Sequence, residues 1–301
     1  MALKSWLQAA RAPAQINIAL PLILGQLLAC QQAWVCRWDF ALLLVLYGLA
    51  MQLYIVFWND WADRDADAHN PHPTIFSGGS RVLTDGLLAP RELFIAGAGA
   101  AVAVLALGYI FTRYLDRPWT LLLFAAGTFL LWAYSIPPLR LNYRFGGELL
   151  QALGVGLLLP HIGYYVQANT FADATYMLPF FLHQLAIAIA FTLPDRDADK
   201  NTDKCTLATW IGTKHAAEFA VFLGVLAQFI LFITHPKDLA VLNLPSLPLL
   251  CSFFLLPKLT PSNKTALAQN TAHKFLLAFV ALTIARGVFY ILAIYLHDDL
   301  Q

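Results

Sequence analysis

Charge is scarce in this sequence. Asp, Glu, Lys and Arg make up only 12% of it, against roughly 25% in a soluble domain, which excludes an ordinary water-soluble fold. The charges present nearly cancel, at a net +1, so no basic field suggests a nucleic-acid partner and none is expected. Cysteine is sparse as well. Cys30, Cys36, Cys205 and Cys251 show no Cys-x-x-Cys spacing; they read as free thiols in or near a membrane, with a Cys30–Cys36 bridge as the alternative. No low-complexity segment and no convincing cleavable signal are present. The first apolar run follows Lys4 and Arg11, but it is as long as a membrane span and lacks a clear small-residue cleavage site, so it reads as a retained helix.

What is abundant is apolar sequence, 59% of the chain. It falls into nine runs: about Gln15–Val35, Phe40–Trp58, Leu93–Leu115, Trp119–Ile136, Gly147–Ala168, Ala174–Pro194, Ala216–Thr234, Leu239–Leu255 and Phe275–Leu296. Most reach the roughly 20 residues that a bilayer helix needs. The eighth is interrupted by Pro245 and Pro248, which leaves the count open by one. The expectation is an all-α, polytopic membrane bundle of about nine helices, one integral membrane domain over 1–301.

Nine spans put the termini on opposite sides. The N-terminus and the loops after even-numbered spans carry fourteen Lys and Arg, against four on the other side. The positive-inside rule then makes the N-terminal side cytoplasmic.

Half-buried in this apolar background are two strings that hold eight of the eighteen acids. The first, Asn59-Asp60-Trp61-Ala62-Asp63-Arg64-Asp65-Ala66-Asp67, closes the second run. The second, Asp195-Arg196-Asp197-Ala198-Asp199-Lys200-Asn201-Thr202-Asp203, closes the sixth. Both end even-numbered spans and so fall on the cytoplasmic side. They suggest a pseudo-repeat of two parts, about 1–136 and 137–301, around a central cavity.

Clustered carboxylates repel one another and resist leaving water. Mg²⁺ would relieve both problems, because it takes oxygen ligands and is usually shared with substrate phosphates. At 100° per residue, Asp60, Asp63 and Asp67 fall within about 60° of one another, with Asn59 at the border and Asp65 elsewhere. Asp195, Asp199 and Asp203 are spaced i, i+4, i+8, and Asp197 points away. One or two Mg²⁺ ions around a diphosphate would suit the two stripes. A di-iron site would want Glu and a Glu-x-x-His pair, and neither string contains either residue. A transporter would place its acids nearer the bilayer midplane.

Asn-Asp-x-x-Asp-x-x-x-Asp and Asp-x-x-x-Asp-x-x-x-Asp on spans two and six resemble the paired motifs of the UbiA superfamily of intramembrane prenyltransferases. Tyr134-Ser135-Ile136-Pro137-Pro138-Leu139-Arg140-Leu141 is similar to the segment after that family's fourth span. Asp203-Lys204-Cys205-Thr206-Leu207 and Trp210-Ile211-Gly212 are similar to the stretch after its second motif. The likeness runs from span one to the start of span seven.

The resemblance implies a nine-helix bundle around a cavity open to lipid. It implies Mg²⁺-dependent transfer of an isoprenoid chain from an allylic diphosphate to a small aromatic or quinone-precursor acceptor. A terpene cyclase on the same scaffold is the alternative. It carries metal ligation over to Asn59, Asp60, Asp63, Asp67, Asp195, Asp199 and Asp203, with Asp63, Asp67, Asp195 and Asp199 at the catalytic centre. Arg81, Arg140, Arg144, Lys200, Lys204 and Tyr134 become candidates for binding the diphosphate or acceptor, against a plain role as topology signals. Ubiquinone-type members carry Asn-Arg-Pro after the first motif. Here Asn70-Pro71-His72-Pro73 and Phe76-Ser77-Gly78-Gly79-Ser80-Arg81 stand instead, closer to naphthoate-type relatives, which weighs against a 4-hydroxybenzoate acceptor. The family's Tyr-x-x-x-Lys element is imperfect, since Pro138 follows Tyr134 and the nearest base is Arg140.

The 68–90 loop, too rich in Pro and Gly for a continuous helix, reads as a lid or as a solvated connector. His161 and His183, in mid-span, read as hydrogen-bonded packing rather than catalysis. Arg286 reads as a structural pair or a functional intramembrane ion. Trp58, Trp61 and Trp132 read as interfacial or as the lining of a cation pocket.

Overall fold

The structure, a computed structural model, describes residues 2–33, 36–68, 78–234, 255–259 and 270–281. The described regular structure is helical, and no strand occurs among the described residues. The order is α1 (Ala2–Ala9), α2 (Ile16–Ala33), α3 (Trp38–Ala68), α4 (Pro90–Tyr114), α5 (Thr120–Ser135), α6 (Gly147–Gln151), α7 (Leu159–Ala168), α8 (Ala174–Thr192), α9 (Arg196–Asn201), α10 (Leu207–Ile211) and α11 (Thr213–Thr234). Residues 270–281 form a further helix.

Among the described residues, five helical stretches are long and apolar enough to cross a membrane: Leu3–Cys30, Trp38–Ala68, Pro90–Tyr114, Gly147–Ala168 and Thr213–Thr234. Thr120–Ser135 and Met177–Thr192 are shorter apolar helices. These seven correspond to the first seven predicted runs. The eighth run, nearly all of it, and most of the ninth, with Arg286, lie outside the described residues. Leu42, Val45, Val102, Leu122, Phe129, Phe222 and Phe229 are exposed, the outward face expected of helices solvated by lipid.

The chain divides into two compact units, Met1–Leu141 with Leu158–Phe171, and Asn142–Leu157 with Ala172–Gln301. The change of unit falls inside the fifth span, at the end of its π-helical stretch Ala152–Leu158.

In the first unit α2 crosses α7 at Gly25 and Gly163, so closely that a Cβ on Gly25 would lie 1.9 Å from the Pro160 carbonyl oxygen. Small residues permit such backbone approach in membrane helices. Gly97 makes room for the Trp58 indole, whose Nε1 donates to the Phe94 carbonyl at 3.1 Å, tying α3 to α4. The Tyr54 hydroxyl donates to the Thr128 carbonyl at 2.9 Å, tying α3 to α5. Trp58 and Trp61 both pack on Phe94, which makes them part of this packing. At its N-terminus, α4 starts on Pro90, and the Glu92 carboxylate accepts the Ala89 N–H at 2.7 Å, a local start signal.

In the second unit α8 packs on α11 and on α6. Asp173 caps α8 by accepting the Thr175 N–H at 2.8 Å. His183 is buried and stacks on Phe279, in keeping with a packing role.

Two expectations change. Cys30 and Cys36 form a disulfide, with Cα atoms 4.9 Å apart, and are not free thiols. Cys205 is free, and Cys251 lies outside the described residues. The first helical stretch also begins earlier than the apolar run. α1 precedes a 3₁₀ turn, Ala12–Gln15, and Ala9 is buried with Val56, Phe57, Val82, Leu88 and Leu93.

Candidate functional site

The first aspartate string lies within α3, which runs unbroken to Ala68. Helical spacing therefore sorts its acids as predicted. Asp60 and Asp63 are buried, at 3% and 4% exposure, whereas the Asp65 side chain is 77% exposed and sits by Arg64. Asp67 and Asn59 are intermediate. The Ser135 hydroxyl lies 3.4 Å from Asn59 Oδ1, and the Arg140 guanidinium donates to the Ala62 carbonyl at 3.0 Å. Tyr134, on the same α5 end, is intermediate in exposure.

The loop that follows folds back onto this stripe. Gly78, Gly79 and Arg81 all have positive φ, at 80°, 68° and 69°. The Ser80 N–H donates to Asp60 Oδ2 at 3.1 Å. Gly79 is packed against the acids: a Cβ there would stand 2.1 Å from Asp67 Oδ2 and 3.3 Å from Asp60 Oδ1. Glycine is required here both by its φ and by the space. Arg81 donates to the Asp67 carbonyl at 2.7 Å and pairs with Asp85 at 3.6 Å. Beyond it, Val82 and Leu88 are buried with Ala9 and Phe57, and the Leu87 N–H returns to the Val82 carbonyl. Residues 78–89 are thus a packed turn, not a solvated connector or a detached lid. The stretch 69–77, with His69 and His72, lies outside the described residues.

The second string is built differently. α8 stops at Thr192, a turn carries Leu193 and Pro194, and Asp195 stands at the N-cap position of α9. α9 then ends at Asn201. Asp203 has φ 56°, and the Lys204 N–H returns to the Asp199 carbonyl at 3.0 Å. This is the six-to-one bond of a Schellman-type helix end. The predicted single stripe of Asp195, Asp199 and Asp203 is therefore wrong at its last member, because Asp203 is past the helix and exposed. Asp199 is buried at 5% exposure and pairs with Lys204 at 3.6 Å. The Lys204 ammonium also sits 5.8 Å from the centre of the Tyr143 ring. Asp197 pairs with Arg196. Lys200 and Arg144 are exposed. Glu148 accepts the Leu207 N–H at 2.7 Å, which holds the start of α10 against α6.

A protein-family model described as the UbiA prenyltransferase family matches residues 18–280. The chain belongs to this family. It is 27% identical over 172 residues to 2-carboxy-1,4-naphthoquinone phytyltransferase of Synechocystis sp., an overlap of 56% of this chain and 53% of the relative. It is 31% identical over 193 residues to probable homogentisate phytyltransferase 2, chloroplastic, of Oryza sativa subsp. japonica, covering 59% of this chain and 46% of the relative. The chain thus spans about half the length of these curated relatives. Among solved structures, a UbiA homolog from Archaeoglobus fulgidus bound to DMAPP and Mg²⁺ superposes with a TM-score of 0.72 at 16% identity, over 97% of this chain and 99% of that one. The UbiA fold is therefore shared, as an all-helical membrane bundle.

Around the first string of this UbiA-family chain, sequence reasoning missed Gln8 and Arg11. Arg11 Nη1 lies 3.5 Å from Asp60 Oδ1, and Gln8 Nε2 donates to the Ser80 carbonyl at 2.8 Å. Nothing local in the sequence links these residues to a motif some fifty positions later. Gly79 and Ser80 were visible as part of a glycine-rich loop, but their contact with Asp60 and Asp67 was not.

The donor set fits a hard cation. Among the described residues Asp60 Oδ1 is buried with no hydrogen-bond partner, and the neighbouring side chains of the string offer carboxylate and amide oxygens. Among the described residues, no three Asp, Glu, His or Cys side chains converge into a complete metal cage.

Proposed function

We propose that this protein transfers an isoprenoid chain from an allylic diphosphate to a small aromatic or quinone-precursor acceptor within the membrane. The observation that carries this reading is the Asp60–Asp63–Asp67 stripe, with Asp60 and Asp63 buried and Asp60 Oδ1 accepting no hydrogen bond among the described residues, at the end of a membrane-length helix in a UbiA-family chain. The two curated relatives are phytyltransferases of ring compounds, which supports a polyprenyl donor and a ring acceptor. The archaeal homolog bound to DMAPP and Mg²⁺ supports Mg²⁺ and an allylic diphosphate.

Asn59, Asp60, Asp63 and Asp67 would hold one Mg²⁺, and Asp195 and Asp199 would supply the second motif's oxygens; Asp203 is left out because it stands past the helix end. Bound Mg²⁺ would supply charge neutralisation to the departing diphosphate. Arg81 and Lys204 would add charge-assisted hydrogen bonds to the phosphates, and Arg140 and Tyr134 would face the same region from the end of α5. The apolar helices would exclude water from the allylic cation until the ring attacks it.

The reaction would take place at the cytoplasmic face. The bias in loop charge supports this orientation, and the disulfide agrees with it. Cys36 precedes the start of α3, and the aspartate string closes its other end, about 45 Å away at 1.5 Å per residue. Disulfides persist in oxidising compartments, so the acids would face the reducing side.

Purified protein incubated with Mg²⁺ and labelled diphosphates of several lengths, with and without ring acceptors, tests the reading. Product that requires an acceptor is expected. A hydrocarbon formed without one would replace transfer by cyclisation.

A further inference from the structure

The N-terminal helix reaches the first motif with one cation. Arg11, between α1 and the 3₁₀ turn, is in the left-handed region, at φ 47° and ψ 55°, a conformation unusual for a residue with a long side chain. That kink turns its guanidinium back to Asp60, 3.5 Å from the oxygen that has no hydrogen-bond partner. The segment leading into the kink is anchored. Trp6 packs edge-on against Phe57, Ala9 is fully buried, and Gln8 bonds to the carbonyl of Ser80, whose N–H holds the other Asp60 oxygen. Strained backbone held in place by its surroundings is a recurrent mark of functional sites.

We propose that Arg11 is a stand-in cation. It neutralises Asp60 when no divalent ion is bound, and it yields Asp60 to the ion and turns to the diphosphate when both arrive. This rests on the reading of the string as a metal and diphosphate site. The observation that points to exchange is the contact itself. At 3.5 Å without a hydrogen bond, Arg11 balances the charge of Asp60 but leaves its oxygen uncommitted. A buried carboxylate with no cation is costly, and Arg11 supplies a cation where no ion is bound. A guanidinium released from Asp60 has five donors to offer to phosphate oxygens. Arg11 is thus a positioning residue for the metal-free state and a ligand of the diphosphate in the loaded one.

Thermal unfolding of the detergent-solubilised protein, with Mg²⁺ alone and with Mg²⁺ plus inorganic pyrophosphate, tests this without turnover. Arg11→Gly relaxes the left-handed backbone while removing the charge; Arg11→Lys retains the charge. In Arg11→Gly, the metal-free protein is expected to melt lower than wild type, and Mg²⁺ is expected to raise its melting temperature by more than it raises the wild type's. Affinity for pyrophosphate in the presence of Mg²⁺ should fall about tenfold, with Arg11→Lys in between. An Arg11→Gly protein that responds to Mg²⁺ and pyrophosphate as wild type does would overturn the proposal. A wild type that responds to neither would overturn the underlying metal-site reading instead.

Discussion

The two aspartate strings look alike as text, and they fold differently. The first is the last two turns of a 31-residue helix, and a glycine loop and an N-terminal arginine close on its acids. The second begins after a Pro194 turn, occupies a helix of six residues, and spends its final acid on a left-handed helix end. Its buried acid is balanced by a lysine five residues on in the same segment. An unbroken helix turns residue spacing into a stripe, but a capped short helix does so for only one turn. Similar spacing therefore keeps all three acids within one helix in the first motif and leaves the last acid past the helix end in the second.

Several substitutions can break or sharpen that contrast. Asp63→Ala and Asp199→Ala each remove a buried acid from one motif, and should each lower turnover about a thousandfold while leaving folding intact. Measured turnover near wild type in either variant would show that one string suffices. Next comes Gly79→Ala, whose Cβ must displace Asp67 and whose φ is positive; misplacing the carboxylate should cost about a hundredfold in kcat/KM. Arg81→Ala should cost about tenfold, with Arg81→Lys restoring part of it. Asp203→Ala should change kcat/KM by less than about twofold, as should Asp65→Ala, since both acids are exposed. If Asp203→Ala proved as damaging as Asp199→Ala, the second motif would act as the straight stripe that its spacing suggests, and the contrast would collapse. Smallest for catalysis is the paired change Cys30→Ser and Cys36→Ser. It should leave kcat unchanged and lower stability by about 2 kcal/mol, read from unfolding in detergent.

Much of the fold was legible because lipid imposes it. Apolar runs of span length, with charge confined to loops, leave few alternatives to helices, and the described structure follows the first seven runs. The inward placement of Asp60 and Asp63 and the outward placement of Asp65 were legible for the same reason, since one uninterrupted helix obeys one period. Asp203 was not, because the period was carried through a helix end that depends on the Lys204 N–H finding the Asp199 carbonyl. Arg11 and Gln8 were not, because their partners are distant in sequence and reached through a kink at a residue that ordinarily avoids it. The Cys30–Cys36 bridge was only an alternative, because spacing permits a bond without stating whether the chain between turns back.

The crossing of α2 and α7 sets a tolerance for the whole first unit. Gly25 faces the Pro160 carbonyl, and Gly163 stands 2.3 Å, from the position a Cβ would take, to the Leu22 carbonyl. Even a methyl group at either place must wedge the two backbones apart. The wedge would open a joint that Gln167 also spans, through its bonds to Gln26 and to the Arg37 backbone. Such a change introduces no charge, removes no ligand and lies more than thirty positions along the chain from every acid of the two motifs. Its damage would travel as lost alignment between helices, so a chain carrying every acid of both motifs could still be a poor enzyme.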